Sequence, residues 1–165
     1  MISLAAFNAC DAADAAALLR PCLDVDRWID EIADARPYAT ADDLFATARG
    51  AANPFTGPEL EAALAHHPRI GERAPGGSAE AGLSRSEQAT LDLDSDVQRR
   101  LAEGNQAYER RFGRVFLIRA AGRSSSEILG RLQVRLANDV DTEDEVAADQ
   151  LRQIALVRLA GVVDR

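Results

Sequence analysis

Ser124-Ser125-Ser126-Glu127-Ile128-Leu129 places a hydroxyl three residues ahead of a carboxylate, immediately before apolar residues. This is the spacing of a capping box, in which the hydroxyl accepts from an orphan amide of a helix's first turn and the acid reaches back to the cap. The same spacing occurs at Thr40…Asp43, Thr56…Glu59, Ser84…Glu87 and Thr142…Glu145, each ahead of an apolar-periodic segment. One such match is weak, but five in succession predict a chain of helices. They place helices over 41–49, 58–66, 85–112, 125–137 and 143–163, with Gly50 and Gly113 as C-terminal stops and Gly104 as a bend or break in the long one.

The N-terminal part reads the same way. Asp11 to Arg20 is rich in alanine and leucine and stops before Pro21. Val25, Trp28, Ile29 and Ile32 then fall at i, i+3, i+4 and i+7, a helical stripe that ends before Pro37. Only Val115-Phe116-Leu117-Ile118, between Gly113 and Gly122, reads as extended, and no second run exists to pair with it. The expected fold is therefore all-α: one domain over 1–165, an irregular multi-helix bundle with a short extended connector packed across the helices. Backbone amides and carbonyls of that connector are expected to be open to a ligand, because buried ones must find partners. The run from Arg73 to Gly82 reads as a flexible loop.

With 165 residues the chain is long enough for one real core. The formal net charge of −8 argues against nucleic acid or an anionic membrane surface as partner. All 19 basic side chains are arginine, which excludes Schiff-base or P-loop lysine chemistry. Cys10 and Cys22 match neither a disulfide framework nor a metal-ligand spacing and read as small buried residues in a reducing compartment. No signal peptide is evident, and no apolar run approaches the ~20 residues of a membrane span, so a cytoplasmic protein is expected.

The two histidines of the chain, His66 and His67, both lie in Leu64-Ala65-His66-His67-Pro68-Arg69-Ile70-Gly71-Glu72. Pro68 disfavours helix at the residue before it, so the helix from Pro58 should end at or just before His67 and present its imidazole at a terminus. The bland alternative is a histidine lending charge to a helix C-terminus. Glu87 and Ser84 read first as cap residues, although a hydroxyl, open amides and a carboxylate at a helix start also suit an anionic substrate. Arg158 is a single charge in the apolar stretch Ile154–Leu159; it is either on a solvated face or a planar fork gripping a carboxylate or carbonyl. Adjacent histidines diverge by roughly 100° on a helix, so a metal site is not expected. No nucleotide-binding glycine motif or Gly-x-Ser-x-Gly turn occurs.

Taken in order, His67-Pro68-Arg69-Ile70-Gly71-Glu72, Ser84-x-x-Glu87-Gln88, Tyr108-x-x-x-Phe112-Gly113-x-x-Phe116-Leu117-Ile118, Gly122-Arg123-Ser124 with Glu127-Ile128-Leu129, Arg135-Leu136-x-Asn138 and Ile154-Ala155-x-x-Arg158-Leu159 resemble the 2-oxo-4-hydroxy-4-carboxy-5-ureidoimidazoline (OHCU) decarboxylase family. The resemblance covers nearly the whole chain. It implies a cofactor-free, all-helical enzyme, a homodimer, acting on a small-molecule substrate in the last step from urate to (S)-allantoin. It also implies His67 and Glu87 as the catalytic pair. Pro68, Ser84, Gln88 and Arg158, with the backbone of Phe116, Leu117 and Ile118, fall on substrate-contacting positions. From the residues alone, a non-catalytic helical binding module and a same-scaffold enzyme acting on a related ureido-heterocycle remain the competing readings.

Overall fold

The computed structural model describes residues 1–65, 67–71, 79–88 and 95–164, without the side chains of Glu80 and Glu87. Among these residues the chain forms nine helices: α1 (Leu4–Ala9), α2 (Ala12–Leu19), α3 (Asp26–Asp34), α4 (Ala41–Gly50), α5 (Gly57–Ala65), α6 (Ala79–Gln88), α7 (Ser95–Phe112), α8 (Ser125–Arg135) and α9 (Val140–Val162). No strand occurs among the described residues, only an isolated parallel bridge between Ile2 and Val163. The all-α expectation is met.

Three of the expected capping boxes are formed. Thr40 and Asp43 cap α4 reciprocally, as Ser124 and Glu127 cap α8. Thr56 Oγ1 accepts from the Glu59 amide at 3.3 Å while a Glu59 carboxylate oxygen accepts from the Thr56 amide at 2.7 Å. The other two are corrected. Thr142 does not cap α9: its amide donates to Asp139 Oδ1 at 2.8 Å, and the helix starts at Val140. Ser84 does not open a helix either, since α6 already runs from Ala79, and Ser84 is buried with Ala81 on one face at i, i+3. Two helices, α6 and α7, lie where one helix over 85–112 was expected, and residues 89–94 between them are outside the described set. Residues 79–82 of the expected 73–82 loop are the first turn of α6; 73–78 lie outside the described residues.

By their contacts the residues fall into two compact units, Met1–Glu59 with Arg152–Arg165, and Leu60–Leu151. In the first, the apolar stripe of α3 is buried as expected: Trp28, Ile29 and Ile32 are at most 1% exposed. The Trp28 indole donates to the Ala48 carbonyl at 2.9 Å, satisfying the one polar atom of a large buried ring. Arg152 reaches back to the turn after α4, donating to the Ala51 and Ala52 carbonyls at 2.5 and 2.8 Å. Gly50 is the last residue of α4 rather than its stop. The turn comes two residues later, where Ala52 holds φ 50° and donates its amide to Glu31. Cys22 is buried and Cys10 half-buried, and neither is in a disulfide among the described residues.

The second unit has a core of Ile70, Leu101, Tyr108, Phe116, Ile118, Ala120, Ile128, Leu129 and Leu132. Gly104 does not break α7. A Cβ there would lie 2.5 Å from Leu132 Cδ2, so this glycine lets α7 and α8 approach closely. Gly113 does end α7, with φ 70° and its amide donating to the Glu109 carbonyl at 2.8 Å.

Candidate active site

α5 ends at Ala65, and His67 follows with its amide donating to the Leu64 carbonyl at 3.1 Å, just ahead of Pro68, which disfavours helix at the residue before it. His66 lies outside the described residues. His67 is buried, Pro68 half-buried. Two bonds fix the backbone just beyond. The Asn105 amide nitrogen donates to the Ile70 carbonyl at 3.1 Å from α7, and Gln88 Oε1 accepts from the Gly71 amide at 2.9 Å from α6. Gly71 sits at φ 86°, a conformation that residues with a Cβ rarely adopt. Arg69 pairs with Glu109 at 2.8 Å through its second nitrogen, and that guanidinium holds the Glu109 carboxyl below the usual range.

The structure thus brings the His67–Gly71 turn onto α6, the helix that carries Ser84, Glu87 and Gln88. Gln88 does so by binding backbone, a role the motif alone did not disclose. The Glu87 side chain is outside the described set. The Phe116–Ile118 connector meets the same turn through the core, since Ile70, Phe116 and Ile118 share one apolar cluster. It lies outside the helices and pairs with no strand among the described residues, but not all of it is open. The Leu117 carbonyl accepts from Arg135 Nη1 at 2.6 Å, and the Arg119 amide donates to Gln150 Oε1 at 3.1 Å. No hydrogen bond to the Ile118 amide is made among the described residues, although Ile118 is 4% exposed. Arg158 belongs to the other unit. It is 2% exposed, so it does not lie on a solvated face, and its Nη1 donates to the Pro21 carbonyl at 3.3 Å.

Behind the connector lies a group that the sequence reading missed. Glu143 is fully buried and binds Arg135 Nε at 2.8 Å, accepts the Tyr108 hydroxyl, and accepts from Asn138 Nδ2 at 2.8 Å. Burial, then the Glu143 hydrogen bond, pushes the Tyr108 phenol up to about 12. The Arg135 guanidinium stands 4.5 Å from the centroid of the Phe116 ring. A signal was available: Glu143 heads the stripe Glu143, Ala147, Leu151 at four-residue spacing, an acid on an apolar face.

Among the described residues no group of three or more His, Cys, Asp or Glu side chains is arranged to hold a metal ion. A cavity of about 580 Å³ opens between α5 and the end of α7, lined by Glu61, Ala65, Glu109, Phe112, Gly113, Arg114 and Val115, and by none of the candidate residues.

A family model described as OHCU decarboxylase matches residues 8–160. The chain belongs to the OHCU decarboxylase family. It is 29% identical over 140 residues to a 2-oxo-4-hydroxy-4-carboxy-5-ureidoimidazoline decarboxylase of Haloferax volcanii, covering 81% of this chain and 79% of that one. A protein of the same name from Amia calva is 30% identical over 131 residues, 78% of this chain and 75% of its own. The uric acid degradation bifunctional protein TTL of Arabidopsis thaliana is 35% identical over 103 residues, 59% of this chain, which matches only 32% of that longer protein. Among solved structures, an OHCU decarboxylase crystallised in the presence of (S)-allantoin superposes with a TM-score of 0.66 at 25% identity, over 86% of this chain and 94% of that one. An (S)-allantoin synthase shares the fold at a TM-score of 0.74 and 18% identity, over 99% of this chain and 55% of that one.

Proposed function

We propose that this chain, acting as one domain over 1–165, carries out the reaction for which its relatives are named. It removes CO2 from 2-oxo-4-hydroxy-4-carboxy-5-ureidoimidazoline to give (S)-allantoin, the last step of urate degradation. The observation that carries this reading is the family match over residues 8–160.

The chemistry explains how a small helical protein suffices without a resident cofactor. The carbon that loses CO2 neighbours a ring C=N carbon, so the electron pair released by the breaking C–C bond delocalises into the imine. The substrate is its own electron sink, the part pyridoxal phosphate or thiamine diphosphate plays elsewhere. The protein has to orient the carboxylate, exclude water and deliver one proton to one face of the ring. In this reading His67 manages the proton of the substrate hydroxyl. Glu87 stands near the leaving carboxylate and promotes loss of CO2 or supplies the stereospecific proton. Pro68, Ser84, Gln88, Arg158 and the backbone of Phe116, Leu117 and Ile118 hold the heterocycle and its ureido arm. Burial of His67 and the two bonds that pin the turn beyond it support such a role, because a general acid–base group must be held in place before the substrate arrives. The reading includes a homodimer in the cytoplasm; among the described residues no helix is long and apolar enough to cross a membrane. Sedimentation velocity tests the dimer.

The test of activity is a coupled assay. Uricase and hydroxyisourate hydrolase generate the substrate in situ, and circular dichroism follows (S)-allantoin. Addition of the protein is expected to accelerate the signal, and His67→Asn to abolish that acceleration while the far-UV spectrum stays helical. An unchanged rate with wild-type protein overturns the function; near wild-type turnover by His67→Asn overturns the assignment of that residue.

A further inference from the structure

We propose that Arg135, locked in place by the buried Glu143, is a positioning residue that aims the Ile118 N–H at the substrate. This rests on the reading above, in which the Phe116–Ile118 segment contacts substrate.

The argument starts from one peptide unit. The bond between Leu117 and Ile118 is trans, so the Leu117 carbonyl and the Ile118 N–H point in opposite directions. Arg135 Nη1 donates to that carbonyl at 2.6 Å from α8. Anchoring the oxygen toward α8 turns the N–H to the far side of the connector. A charged donor on the oxygen also polarises the peptide, which makes the opposite N–H a stronger donor. Ile118 is 4% exposed and its amide takes no partner among the described residues, whereas the next one, Arg119, is already committed to Gln150.

Arg135 is in turn held by Glu143, which two further groups fix in place. Glu143 on α9 binds its Nε at 2.8 Å, while Tyr108 on α7 and Asn138 after α8 both donate to Glu143. The guanidinium also stands over the Phe116 ring, 4.5 Å from its centroid. Arg135 is 5% and Glu143 0% exposed. A buried ion pair seldom stabilises a fold more than apolar residues of the same volume would, because both charges lose their hydration. What an apolar replacement cannot supply is a charged donor fixed against one chosen carbonyl. Stability alone therefore leaves this network unexplained, and orientation of the 117–118 peptide explains it.

The test uses the full-length protein and three variants: Arg135→Met with Glu143→Leu, which removes both buried charges together; Glu143→Gln, which keeps Arg135 but loosens its hold; and Arg135→Lys. Each is checked for helical content, assayed on freshly generated substrate, and examined by the Ile118 amide resonance in a 15N-labelled sample. The double variant is expected to fold, with KM raised about tenfold or more and kcat changed much less, as follows from losing a charge-assisted hydrogen bond that sets substrate binding. Glu143→Gln should move the Ile118 resonance and raise KM to a smaller extent, and Arg135→Lys should recover part of the KM of the double variant. A purely structural role would lower the melting temperature and the active fraction but leave KM at the wild-type value. Wild-type KM in a folded double variant with an unmoved Ile118 resonance overturns the proposal. If the double variant fails to fold, Glu143→Gln decides by the same two readouts. If wild-type protein does not turn over the substrate, the function fails on its own, and the Ile118 resonance in Glu143→Gln decides the positioning role: moved upholds it, unmoved overturns it.

Discussion

Asn105 illustrates how much a single buried polar group constrains the site. It is 3% exposed, its amide nitrogen donates to the Ile70 carbonyl, and its own oxygen has no hydrogen-bond partner among the described residues. Replacing the donor by a second acceptor puts two oxygens face to face in the core. Asn105→Asp is therefore expected to cost at least about 3 kcal/mol in urea unfolding, as an uncompensated buried charge does. Asn105→Leu, which merely strands the Ile70 carbonyl, should cost less, about 1–3 kcal/mol. Equal losses for the two would show that the Ile70 contact is not what holds the turn. At this scale the sequence was informative where covalent geometry acts locally. Pro68 marks the end of α5 and the emergence of His67 without any knowledge of tertiary partners. It was silent where function depends on what a side chain meets. Gln88 gives no sign that its oxygen binds Gly71, and the four-residue stripe that Glu143 heads with Ala147 and Leu151 marks it as buried without disclosing that it holds Arg135.

At the scale of the helix, the capping boxes divide instructively. Thr40, Thr56 and Ser124 cap their helices, whereas Ser84 and Thr142 carry the same spacing inside one. The spacing states that a cap can form; which turn starts the helix is decided by the face to be buried. In α6 that face includes Ala81 and Ser84, so the helix must begin earlier. In α9 Asp139 offers a carboxylate three residues ahead of Thr142 and takes its amide. Gly104 was misjudged for a related reason: helix propensity makes a glycine look like a break, while close packing of α7 on α8 makes it a requirement. Gly104→Ala would gain up to about 1 kcal/mol of helix propensity. It would also drive a methyl to 2.5 Å from Leu132 Cδ2 and 3.2 Å from its Cγ, in a side chain with no exposed surface. Overpacking of that kind costs about 1–3 kcal/mol, so the substitution is expected to destabilise on balance. A raised melting temperature for Gly104→Ala would mean that Leu132 has room to turn away. Ser124→Ala, by contrast, removes an exposed cap and should cost about 1 kcal/mol without touching turnover.

Across the whole molecule, the ionisable groups predict a stability curve with two distinct limbs. In the first unit the Arg27 guanidinium, bound to both Glu59 oxygens at 3.0 and 2.8 Å, lowers the Glu59 carboxyl to about 2 from an ordinary value of 4.5. In the second, Glu109 is lowered by Arg69, and Glu127 and Asp139 by backbone amides at the starts of α8 and α9. Each of these groups binds protons less readily folded than unfolded. Their stabilisation is complete above the unfolded carboxylate range and is lost as pH falls through the folded values. Tyr108 has the opposite sign in its consequence. Its phenol is raised from 10.0 to about 12, so its stabilisation is complete below pH 10 and disappears as pH rises toward 12. Urea midpoints measured against pH should therefore fall below about pH 4.5 and again above about pH 10. Glu59→Gln should flatten the acid limb between those carboxylate values, and Tyr108→Phe the alkaline one, whatever either does to stability at pH 7. The two slopes separate local causes that a single melting temperature would merge. If the alkaline limb of Tyr108→Phe remained as steep as that of the wild type, titration of the buried Tyr108 phenol would not be the source of that pH dependence. The buried network behind the connector would then need a different electrostatic account.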